Sequence, residues 1–309
     1  MRLILATEKG LAGDAEVLDF LSFCLDRKID TNGTWIALHQ GRIVWAMLPS
    51  ANPGRTMLIF TPMVQFNQTP ARAPGELAEA LCLHHAQRGI HLCQMLLDPI
   101  ARPIIDLYRE AGFAELAELV YLQRAIHRAR TDLPVFPGSF ELKEYSSQTH
   151  DEFARAIQSS YHQSLDCPAL NGMREIDDVI AGHQATGEFD PKLWWVLSEN
   201  DQPRAVLLLS RVTNGSALEL VYLGLTPEAR GRGIGDLLMQ YALASAGRDG
   251  RENLSLAVDS RNQPALRLYF RHGMRRIGSR VALIRDLRSF SAGIFPMHSQ
   301  SHSQDAGAR

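Results

Sequence analysis

The pattern of apolar and polar positions is clearest just after residue 217, where the spacing of apolar residues changes from one typical of a strand to one typical of a helix. An apolar run from Leu218 to Leu225 is rich in residues that favour strands, and Thr226-Pro227 ends it. A short glycine-rich turn follows this predicted strand. Apolar residues then recur at helical spacing at Ile234, Leu237, Leu238, Tyr241 and Ala242. The pattern therefore predicts a buried strand, a tight turn and a helix in that order.

The same pattern predicts alternating helices and strands over most of the chain, which indicates an α/β fold with a mixed sheet. Helices are predicted at 15–25, 75–88, 103–111, 151–161, 173–184, from 233–236 onward and at 264–270. A hairpin is predicted at 35–48, and single strands at 56–63, 90–97, 119–125, 140–145, 193–197, 205–212, 218–225, 254–258 and 281–284.

An internal repeat relates the two halves of the chain. A shift of 161 residues aligns Gly89 with Gly250, Asp98 with Asp259, Pro103 with Pro264, Tyr108 with Tyr269, Gly112 with Gly273 and Arg124 with Arg285. Upstream, Thr61-Pro62 aligns with Thr226-Pro227 only at a shift of 165, which predicts four extra residues between strand and helix in the first copy. The predicted division is a first domain at 1–126, a linker at 127–139, a second domain at 140–288 and a disordered tail at 289–309.

Composition narrows the function classes. A length of 309 residues fits two domains, and the net charge of -2 gives no overall attraction for nucleic acid. The four cysteines form no C-x-x-C pair and have no histidine at metal-ligand spacing, so neither disulfides nor a metal site are expected. No signal peptide or membrane-spanning segment is recognisable. We expect a cytoplasmic protein that binds neither membrane nor nucleic acid.

The turn before the predicted helix has the character of an anion site. Three glycines in five residues let a ligand approach the backbone, and the free N–H groups and dipole of a helix N-terminus favour phosphate. The alternative is a tight turn without a ligand. The candidate ligand-binding residues are Arg230, Gly231, Arg232, Gly233, Ile234, Gly235 and Asp236.

Two motifs make the second half similar to the GNAT superfamily of N-acetyltransferases. The family's cofactor motif, [Gln/Arg]-x-x-Gly-x-[Gly/Ala], is matched by Arg230, Gly233 and Gly235. A second signature, Asn-x-x-Ala-x-x-x-Tyr followed by glycine, is matched by Asn262, Ala265, Tyr269 and Gly273. The resemblance covers about 140–287. With the repeat, it implies two tandem GNAT-like domains, each a mostly antiparallel sheet flanked by helices.

The resemblance also implies roles for individual residues. The cosubstrate would be acetyl-CoA, with Tyr269 as the general acid for the CoA thiolate and Glu219 as a base acting through water. The backbone at Leu223, Gly224 and Leu225 would pair with the pantetheine amides, with a strand bulge at Gly224. The resemblance also implies that Asn262 contacts the cofactor. The alternatives are a packed helix tyrosine and a glutamate that touches solvent at the start of a strand.

The first copy is predicted to be non-catalytic. Its loop at 63–73 contains no glycine, Ala101 replaces Asn262, and Gly54 aligns with Glu219 at a shift of 165. Its ability to bind a second CoA is left open.

Acceptor recognition would come from the polar segment 162–172, where the family varies most. The candidate contacts are Tyr161, His162 and Asp166, with an ordinary surface loop as the alternative. The predicted reaction is direct transfer of an acetyl group, in a ternary complex, to a primary amine of a small molecule or peptide. The alternative function is an acyl-CoA-binding regulator without catalysis. The sequence leaves the acceptor and the oligomeric state open.

Overall fold

The computed structural model describes residues 1–126, 132–213 and 215–291. Its helices are α1 (Asp14–Asp26), α2 (Ala73–Ala86), α3 (Arg102–Glu110), α4 (His150–Ser160), α5 (Ile176–Gln184), α6 (Ile234–Arg248), α7 (Gln263–Arg271) and α8 (Arg288–Ser291). Its strands are β1 (Trp35–His39), β2 (Arg42–Asn52), β3 (Thr56–Phe60), β4 (Leu92–Leu97), β5 (Ala114–Ala125), β6 (Phe140–Glu144), β7 (Trp194–Glu199), β8 (Gln202–Arg211), β9 (Ala217–Leu225), β10 (Asn253–Asp259) and β11 (Arg275–Asp286). Short 3₁₀ turns lie at Thr31–Gly33, Pro168–Leu170, Pro191–Leu193 and Pro227–Ala229.

All of these strands form a single sheet in the order β1-β2-β3-β4-β11-β5-β10-β9-β8-β7-β6. Strand pairing is antiparallel except between β3 and β4 and between β9 and β10. This architecture confirms the predicted fold class, a mixed and mostly antiparallel sheet flanked by helices in two similar halves.

The two halves exchange their last strands. β5, from the first half, pairs with β10 of the second half over seven residues. β11, from the second half, pairs with β4 of the first half over six residues. β5 and β11 also pair with each other at the centre of the sheet. Each half therefore lacks a complete sheet without a strand from the other.

Both faces of the sheet are covered by helices. Helices α2 and α3 pack on Trp45, Met47 and the buried side chains of β4, and α6 and α7 pack on the corresponding side of the second half. We call this side the first face. Helix α1 packs on the opposite side, on Ala46 and Leu48, and α4 and α5 pack on Trp194 and its neighbours. We call that side the second face.

The parallel strand pairs separate early. Pairing between β9 and β10 covers only Ala217, Leu218 and Glu219 of β9, and pairing between β3 and β4 covers only Thr56, Met57 and Leu58 of β3. Beyond these residues the two strands of each pair diverge. The sheet therefore opens twice, once in each half, toward the ends of these strands.

The positions of the predicted elements are confirmed, and several strands are longer than predicted, β5 and β11 most of all. β5 begins at residue 114 rather than 119, and β11 begins at Arg275 rather than Val281. The added part of β11 carries three arginines, so its sequence has no apolar strand pattern. Pairing with β5 holds it in the sheet despite that pattern.

The four extra residues predicted between strand and helix in the first copy are confirmed, because twelve residues (61–72) separate β3 from α2 and eight (226–233) separate β9 from α6. β9 and α6 begin 161 residues after β3 and α2, so both copies have the same length from strand start to helix start. The difference is that β9 continues to Leu225 whereas β3 already ends at Phe60. The longer loop of the first copy is therefore offset by its shorter strand, and the shift of 165 aligns the two strand ends, each followed directly by Thr-Pro.

Some predicted features lie outside the described residues. The first part of the proposed linker, 127–131, and the tail from 292 onward belong to these. The division into domains stays a prediction. A cut near residue 126 would leave β5 joined in sequence to the first half, although β5 pairs with β10 of the second half. Among the described residues, no helix combines the length and the apolar character that crossing a membrane requires.

The strand exchange leads to a stability prediction. Leu122 of β5 is buried in the core of the second half, and its repeat partner Leu283 of β11 is buried in the core of the first half. Truncating either buried leucine to alanine costs about 2–5 kcal/mol. We expect Leu122→Ala and Leu283→Ala each to lower the urea midpoint of one cooperative transition that includes both halves. Two separate transitions in tryptophan fluorescence would contradict this expectation.

Candidate active site

The opening between β9 and β10 contains a cavity of about 710 Å³. All but two of the residues predicted to bind the cofactor lie on its wall. The predicted residues on the cavity wall are Leu223, Gly224, Leu225, Arg230, Gly231, Gly233, Gly235, Asp236 and Asn262. The predicted acid Tyr269 and the acceptor candidate Asp166 line the same cavity. The strand end, the glycine turn and α7 therefore bring most of the predicted site together.

The glycine turn has the shape of an anion cradle. Gly231 and Gly233 have φ angles of +72° and +78°, which favour glycine, and a Cβ built on either would meet no atom within 4 Å. Within the described part of the chain, no acceptor is bonded to the backbone N–H groups of 231–235. The turn therefore presents open space and free donors at the N-terminus of α6.

Arg230 holds this turn against the rest of the domain. Its guanidinium donates hydrogen bonds to the carbonyl oxygens of Ser160 at 2.8 Å and His162 at 2.9 Å. It also reaches the carbonyls of Gln163 and Leu225, both at 3.3 Å. The motif arginine lies on the cavity wall, but its donors connect the end of α4, the end of β9 and the turn.

Two residues of the predicted cradle point away from the cavity. Arg232 forms an ion pair with Glu199 at 2.6 Å and packs over the Phe140 ring. Ile234 is buried in the core of the second half. The first turn of α6 directs these two side chains to the outer surface and the core, so only their backbone N–H groups are placed to take part in the predicted cradle.

Asp236 is paired across the cavity mouth, and its partner was missed by the sequence reasoning. Arg271 of α7 contacts the Asp236 carboxylate at 2.8 Å, and His272 Nε2 lies 3.0 Å from it. The Arg271 guanidinium, with His272, holds the pKa of Asp236 below its usual range despite partial burial. Arg271 lines the cavity and is exposed. Its position two residues after Tyr269 could have identified it as a cation near the cofactor.

Tyr269 and its repeat partner Tyr108 differ in what their hydroxyl groups contact. Tyr108 is fully buried, and its hydroxyl is bonded to Thr61 Oγ1 at 2.6 Å and to Trp45 Nε1 at 3.2 Å. The Tyr269 hydroxyl has no hydrogen-bond partner among the described residues, and its side chain lines the cavity. Burial, with the nearby Asp166 charge, raises the pKa of Tyr269, so the phenol stays protonated at neutral pH.

Asn262 has a structural role that is visible without a ligand. It caps α7, because its side-chain oxygen accepts a hydrogen bond from the Ala265 N–H at 3.3 Å. Ala101, at the same place before α3, makes no such bond. The asparagine therefore sets the start of the helix that carries Tyr269.

Glu219 lies on the second face of the sheet. It is next to the cavity between β9 and β10 and is not part of the cavity wall. The wall begins with its neighbours Leu220 and Val221. Burial raises the pKa of Glu219, and the positive charge of Arg27 at the end of α1 opposes that increase. In the first half, Leu58 occupies the equivalent register position, not Gly54 as predicted. Either way, the first copy has no carboxylate there.

The bulge in β9 lies at Val221, not at Gly224 as expected. The register with β8 shifts between Leu220 and Tyr222, which leaves Val221 as the extra residue. Gly224 is required for a different reason, since a Cβ there would lie 2.7 Å from Ser160 Oγ and 2.5 Å from the Tyr222 ring. Ser160 and Tyr222, which also line the cavity, are bonded to each other at 2.7 Å. Sequence reasoning missed this pair because their spacing along the chain gives no motif.

The three acceptor candidates are not brought together in one place. Asp166 lines the cavity and accepts a hydrogen bond from the Asp259 N–H at 3.1 Å, and burial raises its pKa. Tyr161 packs beside Tyr222 instead, where burial raises its pKa to about 12. His162 is exposed and does not line the cavity. Only Asp166 therefore remains placed to contact a ligand in this cavity.

A second cavity, of about 620 Å³, occupies the equivalent opening in the first half. Its wall includes Asp98 and Ala101, the repeat partners of Asp259 and Asn262. Within the ranges that the structure describes, no group of three or more His, Cys, Asp or Glu side chains is arranged to hold a metal ion.

Comparison with known proteins agrees with this geometry. Residues 156–274 match the family model described as the acetyltransferase (GNAT) family. The structure of a GCN5-related N-acetyltransferase from Sphaerobacter thermophilus has a TM-score of 0.58 and 16% identity, over 90% of this chain and 86% of that one. A tandem GNAT protein from the clavulanic acid biosynthesis pathway has a TM-score of 0.50 and 13% identity, over 82% of both chains. Residues 156–274 are therefore similar to the acetyltransferase (GNAT) family, and the chain has a fold similar to that of a tandem GNAT protein.

Two curated relatives share more sequence with the chain. The mycothiol acetyltransferase of Clavibacter sepedonicus is 28% identical over 57% of this chain. That of Clavibacter michiganensis subsp. michiganensis is 29% identical over 53% of this chain. The matches span 56% and 52% of the relatives' own lengths, so the chain is similar to about half of each.

Proposed function

We propose that the protein is an acyl-CoA-dependent N-acetyltransferase that moves an acetyl group from acetyl-CoA directly to a primary amine in a ternary complex. The observation that carries the proposal is the pair Tyr269 and Tyr108. The repeat has kept both tyrosines, but only the one beside the glycine cradle has its hydroxyl free of protein partners and on a cavity wall.

Acetyl-CoA fits the residues of this cavity. The pyrophosphate would be bound by the free N–H groups of the turn at 231–235, with Arg271 adding positive charge at the mouth. The pantetheine amides would pair with the backbone of β9 beyond Glu219, where β10 no longer pairs with it. Acetyl-CoA supplies an activated acetyl group as a thioester, and its thiolate is the leaving group.

Two side chains, Glu219 and Tyr269, each make one of the proton transfers that the reaction requires. A half-buried carboxylate with a raised pKa, Glu219, accepts the proton of the acceptor amine through water. A phenol with a raised pKa, Tyr269, remains protonated and donates to the departing sulfur. The backbone of β9 orients the thioester, so that the amine and the carbonyl carbon approach within one site.

The proposal includes the class of acceptor amine, which we infer from the two curated relatives. The curated relatives are named for acetylation of mycothiol, and the two-copy arrangement is similar to mycothiol synthase. Both favour a small-molecule amine over a peptide amine.

A regulator that binds acyl-CoA without catalysis is the competing function, favoured by the cradle alone. Thiol release from acetyl-CoA over a panel of primary amines separates the two. Amine-dependent release is expected from the enzyme, whereas tight acetyl-CoA binding without release for any amine would support the regulator.

The cradle gives a prediction for cofactor affinity. In Gly233→Val, the new side chain fills the open space above the turn and blocks phosphate from its N–H donors. A hydrogen bond to a charged group contributes about 1.5–3 kcal/mol, so we expect the Kd for acetyl-CoA to rise about ten- to a hundredfold by calorimetry.

Gly250→Val is the matched control for backbone strain. Gly250 follows the other end of α6, has a φ of +72° and is likewise open within 4 Å of a built Cβ. Both variants are expected to lose similar stability, while only Gly233→Val loses affinity. Equal affinities in the two variants would count against the cradle.

A further inference from the structure

The two cavities reach neighbouring strands at the centre of the sheet. Ala257 of β10 lies on the wall of the first cavity, and Tyr121 of β5 and Gly278 of β11 lie on the wall of the second. Ala257 pairs directly with Tyr121, and Tyr121 pairs with Gly278. Directly paired residues face the same side of a sheet, and two strand spacings span roughly 10 Å. A ligand of that length can reach from one cavity wall to the other.

Glu219 lies beside this junction. Its partner in β10 is Ser255, two residues before Ala257 and therefore on the same face. Ala257 is exposed, so the sheet surface is open between the cavities. The negative charge of Glu219 acts on Tyr121, where it adds to the effect of burial in raising the pKa of that phenol. A group held at the junction would therefore be close to the proposed base.

The second cavity has an apolar lining and no cradle for phosphate. Its wall includes Leu5, Leu58, Phe60, Met63, Leu96 and Ile277. Three of the polar groups on the wall have partners, because Arg280 pairs with Asp98 at 3.5 Å and Thr61 is bonded to the buried Tyr108. The wall also includes the exposed side chain of Glu8. The loop at 63–73 contains no glycine to bring backbone donors to a pyrophosphate. This cavity suits an uncharged, apolar body better than a nucleotide.

We propose that the second cavity holds the body of the amine acceptor, and that the acceptor is a primary amine carried on an apolar chain or ring. Its amino group lies at the junction of Ala257 and Tyr121, near Glu219, and its body extends past Gly278 into the first half. The proposal rests on the acetyltransferase function of the first cavity. It assigns acceptor specificity to the copy that lacks the catalytic groups, and it explains why that copy retains a cavity.

Two measurements on the whole chain test the assignment. The first is calorimetric binding of 4-phenylbutylamine, and of glucosamine as a polar amine, without acetyl-CoA. The second is thiol release from acetyl-CoA with unbranched alkylamines of increasing length. Burial of one methylene should raise kcat/KM about fourfold, until the chain fills the cavity. We expect 4-phenylbutylamine to bind and glucosamine not to bind.

Gly278→Leu is designed to close the passage beside Tyr121. The residue has no positive φ, and a built Cβ meets nothing within 4 Å, so the side chain enters open space without backbone strain. We expect the Kd of 4-phenylbutylamine to rise at least about tenfold, as for the loss of two buried methylenes. The Kd of acetyl-CoA should not change. Gly138→Leu, another glycine without positive φ and with open space, is the control and should leave both constants unchanged.

The outcomes separate this proposal from the function on which it rests. Turnover of glucosamine without any preference for apolar amines, or unchanged binding in Gly278→Leu, overturns the acceptor site and leaves the acetyltransferase intact. Binding of 4-phenylbutylamine that is lost in Gly278→Leu, with no thiol release for any amine, supports the site and overturns the acetyltransferase.

Discussion

Replacing Tyr269 by phenylalanine is expected to lower kcat by a factor of about 10² to 10⁴, the usual contribution of a positioned general acid. The change removes only the hydroxyl, which makes no hydrogen bond to any described residue and faces the cavity. The ring keeps its place in the core of the second half. We therefore expect the Kd for acetyl-CoA and the thermal stability to remain as they are. Steady-state kinetics, calorimetry and thermal unfolding measure the three quantities.

The repeat supplies the control for this substitution. In Tyr108→Phe the same atom is removed at the equivalent position, where it bonds both Thr61 and Trp45 in the core. Leaving buried partners unsatisfied costs about 1–3 kcal/mol, so Tm should fall while kcat stays unchanged. If Tyr269→Phe instead lowered Tm and kept kcat, the two tyrosines would have the same structural role, and the proposed acid would be wrong.

The sequence predicted the elements well because local pattern and tertiary environment agree there. The strand at 218–225 is mostly apolar and followed by proline, and the three glycines in 231–235 mark a tight turn where a ligand can approach the backbone. The cavity wall formed by these residues was predictable for that reason. The repeat between the halves was visible because identical turns and helix ends recur at one spacing.

Features that depend on contacts between distant segments were not predictable. The exchange of β5 and β11 is determined by pairing between strands far apart in sequence, and no local pattern distinguishes it from two closed halves. The bulge at Val221 is a property of the register with β8, so inspection of β9 alone favoured the glycine at 224 instead. The directions of Arg232 and Ile234 depend on the first residue of α6, which patterns locate only to within a few positions. Side-chain direction in the site therefore needed the structure.

The strand exchange also changes what the first copy contributes. Tyr121 is part of the first half in sequence, but its strand completes the sheet of the second half beside β10. Arg27, also from the first half, is close enough to affect the charge of Glu219. A copy without the glycine turn and the strand carboxylate of the second copy thus forms part of the environment of the proposed base.

Replacing Glu219 by glutamine should lower kcat/KM about 10²- to 10³-fold and remove the acid limb of its pH profile. In the unaltered protein, burial raises the pKa of Glu219, so the carboxyl becomes protonated at a pH above the ordinary glutamate value of 4.5. Since the base works only when it is deprotonated, kcat/KM falls as the pH decreases through that raised pKa. Removal of the Arg27 charge in Arg27→Met should move the limb to higher pH, because that cation favours the carboxylate.

The shift in Arg27→Met distinguishes a base from a merely structural glutamate. A structural role would change stability and KM without moving the limb. Lys28→Met is the matched control, because it removes the adjacent positive charge, which shows no interaction with Glu219. This variant should leave the pH profile of kcat/KM unchanged. If the acid limb persists unchanged in Glu219→Gln, another group titrates, and Asp166 on the cavity wall, whose pKa burial also raises, becomes the candidate base.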